Sequence, residues 1–254
     1  MTEPKARVQS VDRAALALEF LGSGDAAGAS LSAIAAELGV ARSTAHALLR
    51  TLEAHGLVAE VAGPRFVLGT GLIKLGDIAS KQVPIAEVAR PVLSTLARES
   101  GLTTRLAIAE HGYPVFVARV DGPGIVRFDT PLGGREAPHS SAAGKVILAD
   151  LPEDQVRSIV EVEGLPRRTA HTITELDTLL SELEKVRANG YAVDDEEDLA
   201  GIFCVAAGVR SGDGRIIGAI STTGIATDPR SHPVAELGET IRKYAADLES
   251  RVGR

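Results

Sequence analysis

The chain has 254 residues, 44% hydrophobic and 24% charged, enough apolar material for one or two cored units and unlike a disordered, collagen-like or disulfide-built chain. The single cysteine, Cys204, permits neither an internal disulfide nor a multi-thiolate zinc site and points to a reducing cytoplasm. A net charge of −7 excludes a surface coated with base for indiscriminate nucleic-acid binding, but residues 1–80 carry only −1 of it and leave room for a local reader.

No apolar run reaches the ~18 residues of a membrane span, and Asp12, Arg13 and Glu19 interrupt what would have to be a secretion signal. Residues 10–21 place Val11, Ala14, Ala15, Leu18 and Leu21 at helical steps, with Ser10 as the expected N-cap and Gly22 as the stop. A second helix is expected over residues 30–39, opened by Ser30, with Leu31, Ile34, Ala35 and Leu38 inward. A third covers residues 42–55, with Ala45, Leu48, Leu49 and Leu52 on one face and Gly56 closing it. The tight turn through Gly39-Val40 between them is the pattern of a helix-turn-helix. Residues 57–61 and 65–68 are short β-rich runs around Ala62-Gly63-Pro64, and a hairpin there makes the unit a winged helix-turn-helix. A connecting helix is expected over residues 71–81 and a longer one over 84–100, kinked or restarted at Pro91.

Beyond residue 103 the apolar period changes to two. Strands are expected over residues 104–110, 114–121 and 125–130, then helices over 140–149, 153–160 and 174–189. Strands 203–210 and 215–223 follow, joined by Gly212-Asp213-Gly214, a strong hairpin signal, and a last helix fills 233–252. Strands clustered in hairpins with helices between the clusters predict an antiparallel sheet in an α+β domain.

With its apolar face turned inward, the third helix presents Ser43, His46, Ala47 and Arg50, with Arg42 and Thr44 beside its start. These are donors for phosphates and base edges, and no acid falls between Glu37 and Glu53. A winged helix used for protein contacts is the alternative. Residues 31–39 (Leu-Ser-Ala-Ile-Ala-Ala-Glu-Leu-Gly), 42–46 (Arg-Ser-Thr-Ala-His) and 52–58 (Leu-Glu-Ala-His-Gly-Leu-Val) resemble the IclR-type bacterial transcription regulators. So do Phe66-Val67-Leu68-Gly69, Ser140-Ser141-Ala142-Ala143-Gly144-Lys145, and the stretch Gly190-Tyr191-Ala192-Val193-Asp194-Asp195-Glu196-Glu197 with Gly201 and Cys204. Ala47 stands where the family usually has arginine, and Ala41 where a Ser or Pro often starts the helix.

Catalytic readings of the second half fail on spacing. A phosphate loop ending at Gly144-Lys145 would need glycine at His139 and Ser or Thr at Val146. An S-x-x-K motif would need serine at Ala142. Cys204 sits in an apolar strand with no histidine paired to it in sequence, as a buried or pocket-lining thiol. The acidic run 194–197 reads as a solvated loop with one inward carboxylate, with metal binding the less common outcome, and histidine spacing has no zinc signature. No cofactor and no metal are expected. Ser140 and Ser141 at a helix start suit either an anion such as a carboxylate or simple N-capping.

The resemblance implies a winged helix-turn-helix over residues 1–69, a linker helix over 70–82 and a GAF-like effector-binding domain over 83–254. It implies a cytoplasmic, sequence-specific regulator acting on double-stranded operator DNA, a repressor of a catabolic operon, modulated by a small organic or aromatic acid. It further implies a homodimer through the N-terminal unit and linker, able to pair into a tetramer. The expected DNA contacts are Arg42, Ser43, Thr44, His46 and Arg50, with Arg65 from the wing. The expected effector pocket is Ser141, Ala142, Ala143, Asp194, Ile202, Cys204, Ser221 and Thr223, with Phe128 as a wall. Ser221 and Thr223 fall on one side of their strand. The alternative from another class is a small-molecule hydrolase using Asp194 and Cys204 under a regulatory winged helix.

Overall fold

The computed structural model describes residues 8–124, 128, 131–227 and 233–252. The chain divides into two compact units, residues 1–82 and 83–254.

In the first unit, α1 (Gln9–Ser23), α2 (Leu31–Glu37) and α3 (Arg42–Ala54) close over Ala17, Leu21, Ile34, Leu49, Leu52, Val58 and Phe66. α1 is capped two residues before the expected Ser10, with Val8 at its N-cap position, and runs through Gly22 to Ser23. Ser30 caps α2 by accepting from the Ala33 N–H at 3.2 Å. The turn into α3 depends on Gly39, whose φ of +60° is costly for any residue with a Cβ. β2 (Val58–Val61) and β3 (Arg65–Leu68) form the expected hairpin, and a two-residue strand invisible to periodicity, β1 (Ala29–Ser30), joins it to give the order β1-β3-β2. α4 (Gly71–Lys81) follows, and none of its residues is buried.

The second unit is an antiparallel five-stranded sheet between two helical layers. Its strands are β4 (Thr103–Glu110), β5 (Tyr113–Val120), β6 (Ala192–Asp195), β7 (Ile202–Arg210) and β8 (Ile216–Ile225), in the order β5-β4-β8-β7-β6. α5 (Pro84–Ser100) and α9 (Val234–Val252) cover one face through Leu93, Leu96, Leu106, Phe203, Val205, Ile220 and Ile241. α6 (Ala142–Asp150) and α8 (Leu176–Asn189) cover the other through Ala143, Val146, Leu179, Leu183, Ala206 and Ala219, with α7 (Glu153–Glu163) alongside. His111 and Gly112 turn the β4–β5 hairpin with φ of +52° and +89°, the backbone twist that tight hairpins favour.

Two expectations are corrected. α5 does not restart at Pro91 but runs on through it, because Pro91 and Glu87, whose carbonyl loses its partner, both lie on the exposed side of the helix and leave that carbonyl to water. The acidic run is not a loop throughout: residues 192–195 form the edge strand β6, pairing Asp194 with Cys204 on β7. The strand expected over 125–130 lies largely outside the described residues.

Candidate DNA-binding face and effector cavity

α3 buries Ala45, Leu49 and Leu52 and leaves Arg42, Ser43, Thr44, His46, Ala47 and Arg50 exposed. The expected donor row therefore shares one accessible face. No side chain caps the helix at Ala41. Arg42 has no ion-pair partner among the described residues. Arg50 lies 2.7 Å from Glu53 and 3.2 Å from Glu60, the latter reached only because β2 folds back beside α3. Arg65 in the hairpin donates from Nε to the carbonyls of Ala27 and Gly28 at 3.0 Å and from Nη2 to Gly28. Its guanidinium thus ties the loop before β1 to the wing.

In the second unit, one sheet face carries Arg105, Ser221, Thr223, Cys204 and Asp194 in adjacent registers. A cavity of about 80 Å³ opens there, lined by Arg105, Phe128, Glu136, Asp194, Asp198, Leu199, Ile202, Cys204 and Thr223. Five expected residues are brought together: Phe128, Asp194, Ile202, Cys204 and Thr223. Ser141, Ala142 and Ala143 form the buried start of α6 and are not among the lining residues. The Ser141 hydroxyl accepts from the Gly144 N–H at 3.2 Å and donates to the Ala137 carbonyl at 2.9 Å, and Ser140 donates to Asp198 at 2.8 Å. A Cβ at Gly144 would overlap the Pro138 carbonyl, so backbone closes over this helix start. Here the serine hydroxyls serve capping and packing, one of the two roles that a helix start of this kind suits. Ser221 is also absent from the lining, and its hydroxyl is buried without a hydrogen-bond partner.

The acidic run builds a rigid turn. Asp194 Oδ1 accepts from the N–H groups of Glu197 at 2.8 Å and Asp198 at 3.2 Å. Glu196, at φ +61°, accepts from the Gly201 N–H at 2.6 Å. Glu197 pairs with the fully buried Lys145 at 2.5 Å, and Asp198 with Arg168 at 2.7 Å. Among the described residues no three His, Cys, Asp or Glu side chains group as a metal site.

Burial pushes the Asp194 carboxyl up to about 7, against the two N–H donors that favour its charged form. Burial and the neighbouring Asp194 raise the Cys204 thiol to about 12, and its Sγ lies 3.3 Å from the Thr223 hydroxyl. The folded chain thus holds a proton on Asp194 above its ordinary value of 3.8, so stability falls as pH rises from there towards 7 and levels off beyond. Asp194→Asn is expected to remove this slope, matching wild type near pH 4 and exceeding it by about 1–3 kcal/mol at pH 8 in urea denaturation. Equal stability differences at both pH values would place a charged, solvated Asp194 in the fold.

Sequence reasoning missed Arg105, Glu136, Asp198 and Leu199. The signal for Arg105 was partial: in Thr104-Arg105-Leu106-Ala107-Ile108 the alternation sets Arg105 and Ala107 on the face opposite Leu106 and Ile108, and only the helical layer packed on that side makes the face inward. Its partner on a distant loop had no signal.

The family model described as the IclR helix-turn-helix domain matches residues 10–62, and the one described as the bacterial transcriptional regulator IclR C-terminal region matches 78–250. The HTH-type transcriptional repressor AllR of Salmonella typhi is 31% identical over 99% of this chain and 93% of its own. The crystal structure of an IclR transcriptional regulator from Alicyclobacillus acidocaldarius, 27% identical, superposes with a TM-score of 0.84 over 98% of this chain and 100% of its own. An IclR homolog from Microbacterium hydrocarbonoxydans complexed with 4-hydroxybenzoate, 24% identical, shares the fold with a TM-score of 0.79 over 96% of this chain and 98% of its own. With both family models matched in order along nearly its whole length, an exposed donor row on α3 and a polar cavity in a separately cored second unit, the chain belongs to the IclR family of bacterial transcriptional regulators.

Proposed function

We propose that the protein is a cytoplasmic repressor that binds operator DNA as a homodimer through its N-terminal unit and α4. A small organic or aromatic acid in the cavity beside Asp194 and Cys204 modulates that binding. The observation that carries this reading is the pairing, in one chain, of an exposed donor row on α3 with a small polar-walled cavity inside the other unit. The functional division is a DNA-binding domain over 1–69, a linker helix over 70–82 and an effector domain over 83–254. Relatives named as repressors support the sign of regulation, and a homolog of the same fold complexed with 4-hydroxybenzoate supports the class of effector. The hydrolase alternative lacks support, because a thiol held at about 12 is protonated at neutral pH and is a poor nucleophile.

In this reading Ser43, Thr44 and His46 meet base edges, and Arg42 meets phosphate or a guanine edge. Arg42→Ala is expected to lower operator affinity and, for a phosphate contact, to reduce the slope of log affinity against log salt by about one per protomer. Arg50→Ala should cost less, since DNA must compete with Glu53 and Glu60 for that guanidinium, and Arg65→Ala should act mainly through the wing's stability. Fluorescence anisotropy across a salt series reads all three. Unchanged affinity in both Arg42→Ala and Arg50→Ala would remove this docking geometry. Titrating acids with and without operator tests the coupling, because effector and operator must change each other's affinity by the same factor.

A further inference from the structure

Among the described residues the cavity wall contains one cation, Arg105, whose side chain is 6% exposed. Phe116 lies beneath its guanidinium, 4.1 Å from the ring centroid, and Cys204 Sγ is 3.8 Å from Nη2. On Nη1, at 2.9 Å, sits the Glu136 carboxylate. Glu136 is 20% exposed, more open than the arginine it meets. It comes from the segment between β5 and α6, held there by its N–H to the Pro114 carbonyl. The other acids among the described lining residues are committed elsewhere: Asp198 to Arg168 and Ser140, Asp194 to two backbone N–H groups.

Resting on the effector reading above, we propose that Arg105 is the effector's carboxylate anchor and that Glu136 is an internal stand-in for that carboxylate, displaced when the acid binds. The class of ligand is a hydroxylated monocarboxylate, with its carboxylate on Arg105 and its hydroxyl donating to Asp194. A second carboxylate beside an undisplaced Glu136 would bring like charges together in a desolvated site. Exchange instead keeps the buried guanidinium paired in both states, while Glu136 swings towards water, so no buried charge is stranded. Guanidinium recognises a carboxylate through directional, charge-assisted N–H donors. Exchange also makes room: about 80 Å³ is the volume of two or three waters at roughly 30 Å³ each, and withdrawal of the Glu136 side chain enlarges it.

The test is calorimetric titration and thermal melting of the full-length protein as wild type, Glu136→Gln, Arg105→Lys, Arg105→Met and Thr223→Leu. The probes are 4-hydroxybenzoate, lactate and the neutral 4-hydroxybenzamide. With its competitor removed, Glu136→Gln should bind at least one of the two acids about ten-fold tighter than wild type and show the larger rise in Tm on adding it. Arg105→Lys should bind that acid weakly, Arg105→Met should lose it, and the amide should bind none of the proteins. Should Arg105→Met not fold, Glu136→Gln and Arg105→Lys carry the result. Absence of acid binding to Glu136→Gln at millimolar concentration, or equal binding to it and wild type, overturns the anchor. Thr223→Leu fills the cavity. Binding lost there but kept in Arg105→Met overturns the anchor and leaves the cavity standing, whereas binding kept in both overturns the cavity itself.

Discussion

Lys145→Met is expected to destabilise the second unit by about 3–5 kcal/mol, the cost of leaving one member of a buried ion pair uncompensated. Lys145 is fully buried on α6, and its Nζ lies 2.5 Å from Glu197 Oε1. Burial pushes the Glu197 carboxyl upward and the Lys145 charge pulls it back, so removal of the lysine takes away the main group that opposes burial. The double variant Lys145→Met with Glu197→Leu should recover most of the loss, because apolar groups of similar size replace such pairs at little cost. A double-mutant cycle by urea denaturation reads the coupling. Additive losses would mean that the two groups do not depend on each other. The functional consequence follows from the same turn: Glu197 donates its N–H to Asp194, so loss of the Lys145 tether should also weaken acid binding in the cavity.

The second large effect is expected on α4. This helix exposes Ile73, Leu75 and Ile78 at 73%, 53% and 43% and buries none of its residues. Leu72, Leu75 and Ile78 recur at three-residue steps and form an apolar stripe. Covering each such side chain contributes about 1.5–3 kcal/mol, and in a two-fold dimer every contact occurs twice. Leu75→Glu with Ile78→Glu should therefore convert dimer to monomer in sedimentation experiments. It should weaken operator binding by roughly 100-fold or more, since a lone α3 reads one half-site and buries too little surface. The variant should keep the fold of the second unit by circular dichroism. A variant that stays dimeric with full operator affinity would move the interface away from α4.

Local features of the chain were enough to determine the elements that carry the reading. The three-and-four-residue recurrence of Ile34, Ala35, Ala45, Leu49 and Leu52, punctuated by Gly39 and Gly56, made α2, the turn and α3 legible, because helical period and positive φ are properties of neighbouring residues. The turns at His111-Gly112 and Gly212-Asp213-Gly214 were legible for the same reason. The acidic stretch 194–197 was visible too, but whether it formed loop or strand depended on pairing with β7, which short-range pattern does not contain. Partner choice was decided only by tertiary structure. Arg50 meets Glu60 because β2 turns back beside α3. Arg105 meets Glu136, 31 residues on, and Cys204, 99 residues on, because sheet register and the path of one loop bring them to the same cavity. A guanidinium takes whichever carboxylate the fold delivers within hydrogen-bond reach. Periodicity could set Arg105 opposite Leu106 and Ile108 on its strand, and only the tertiary structure made that face inward and, through the register of β4 against β8 and β7, determined what it meets.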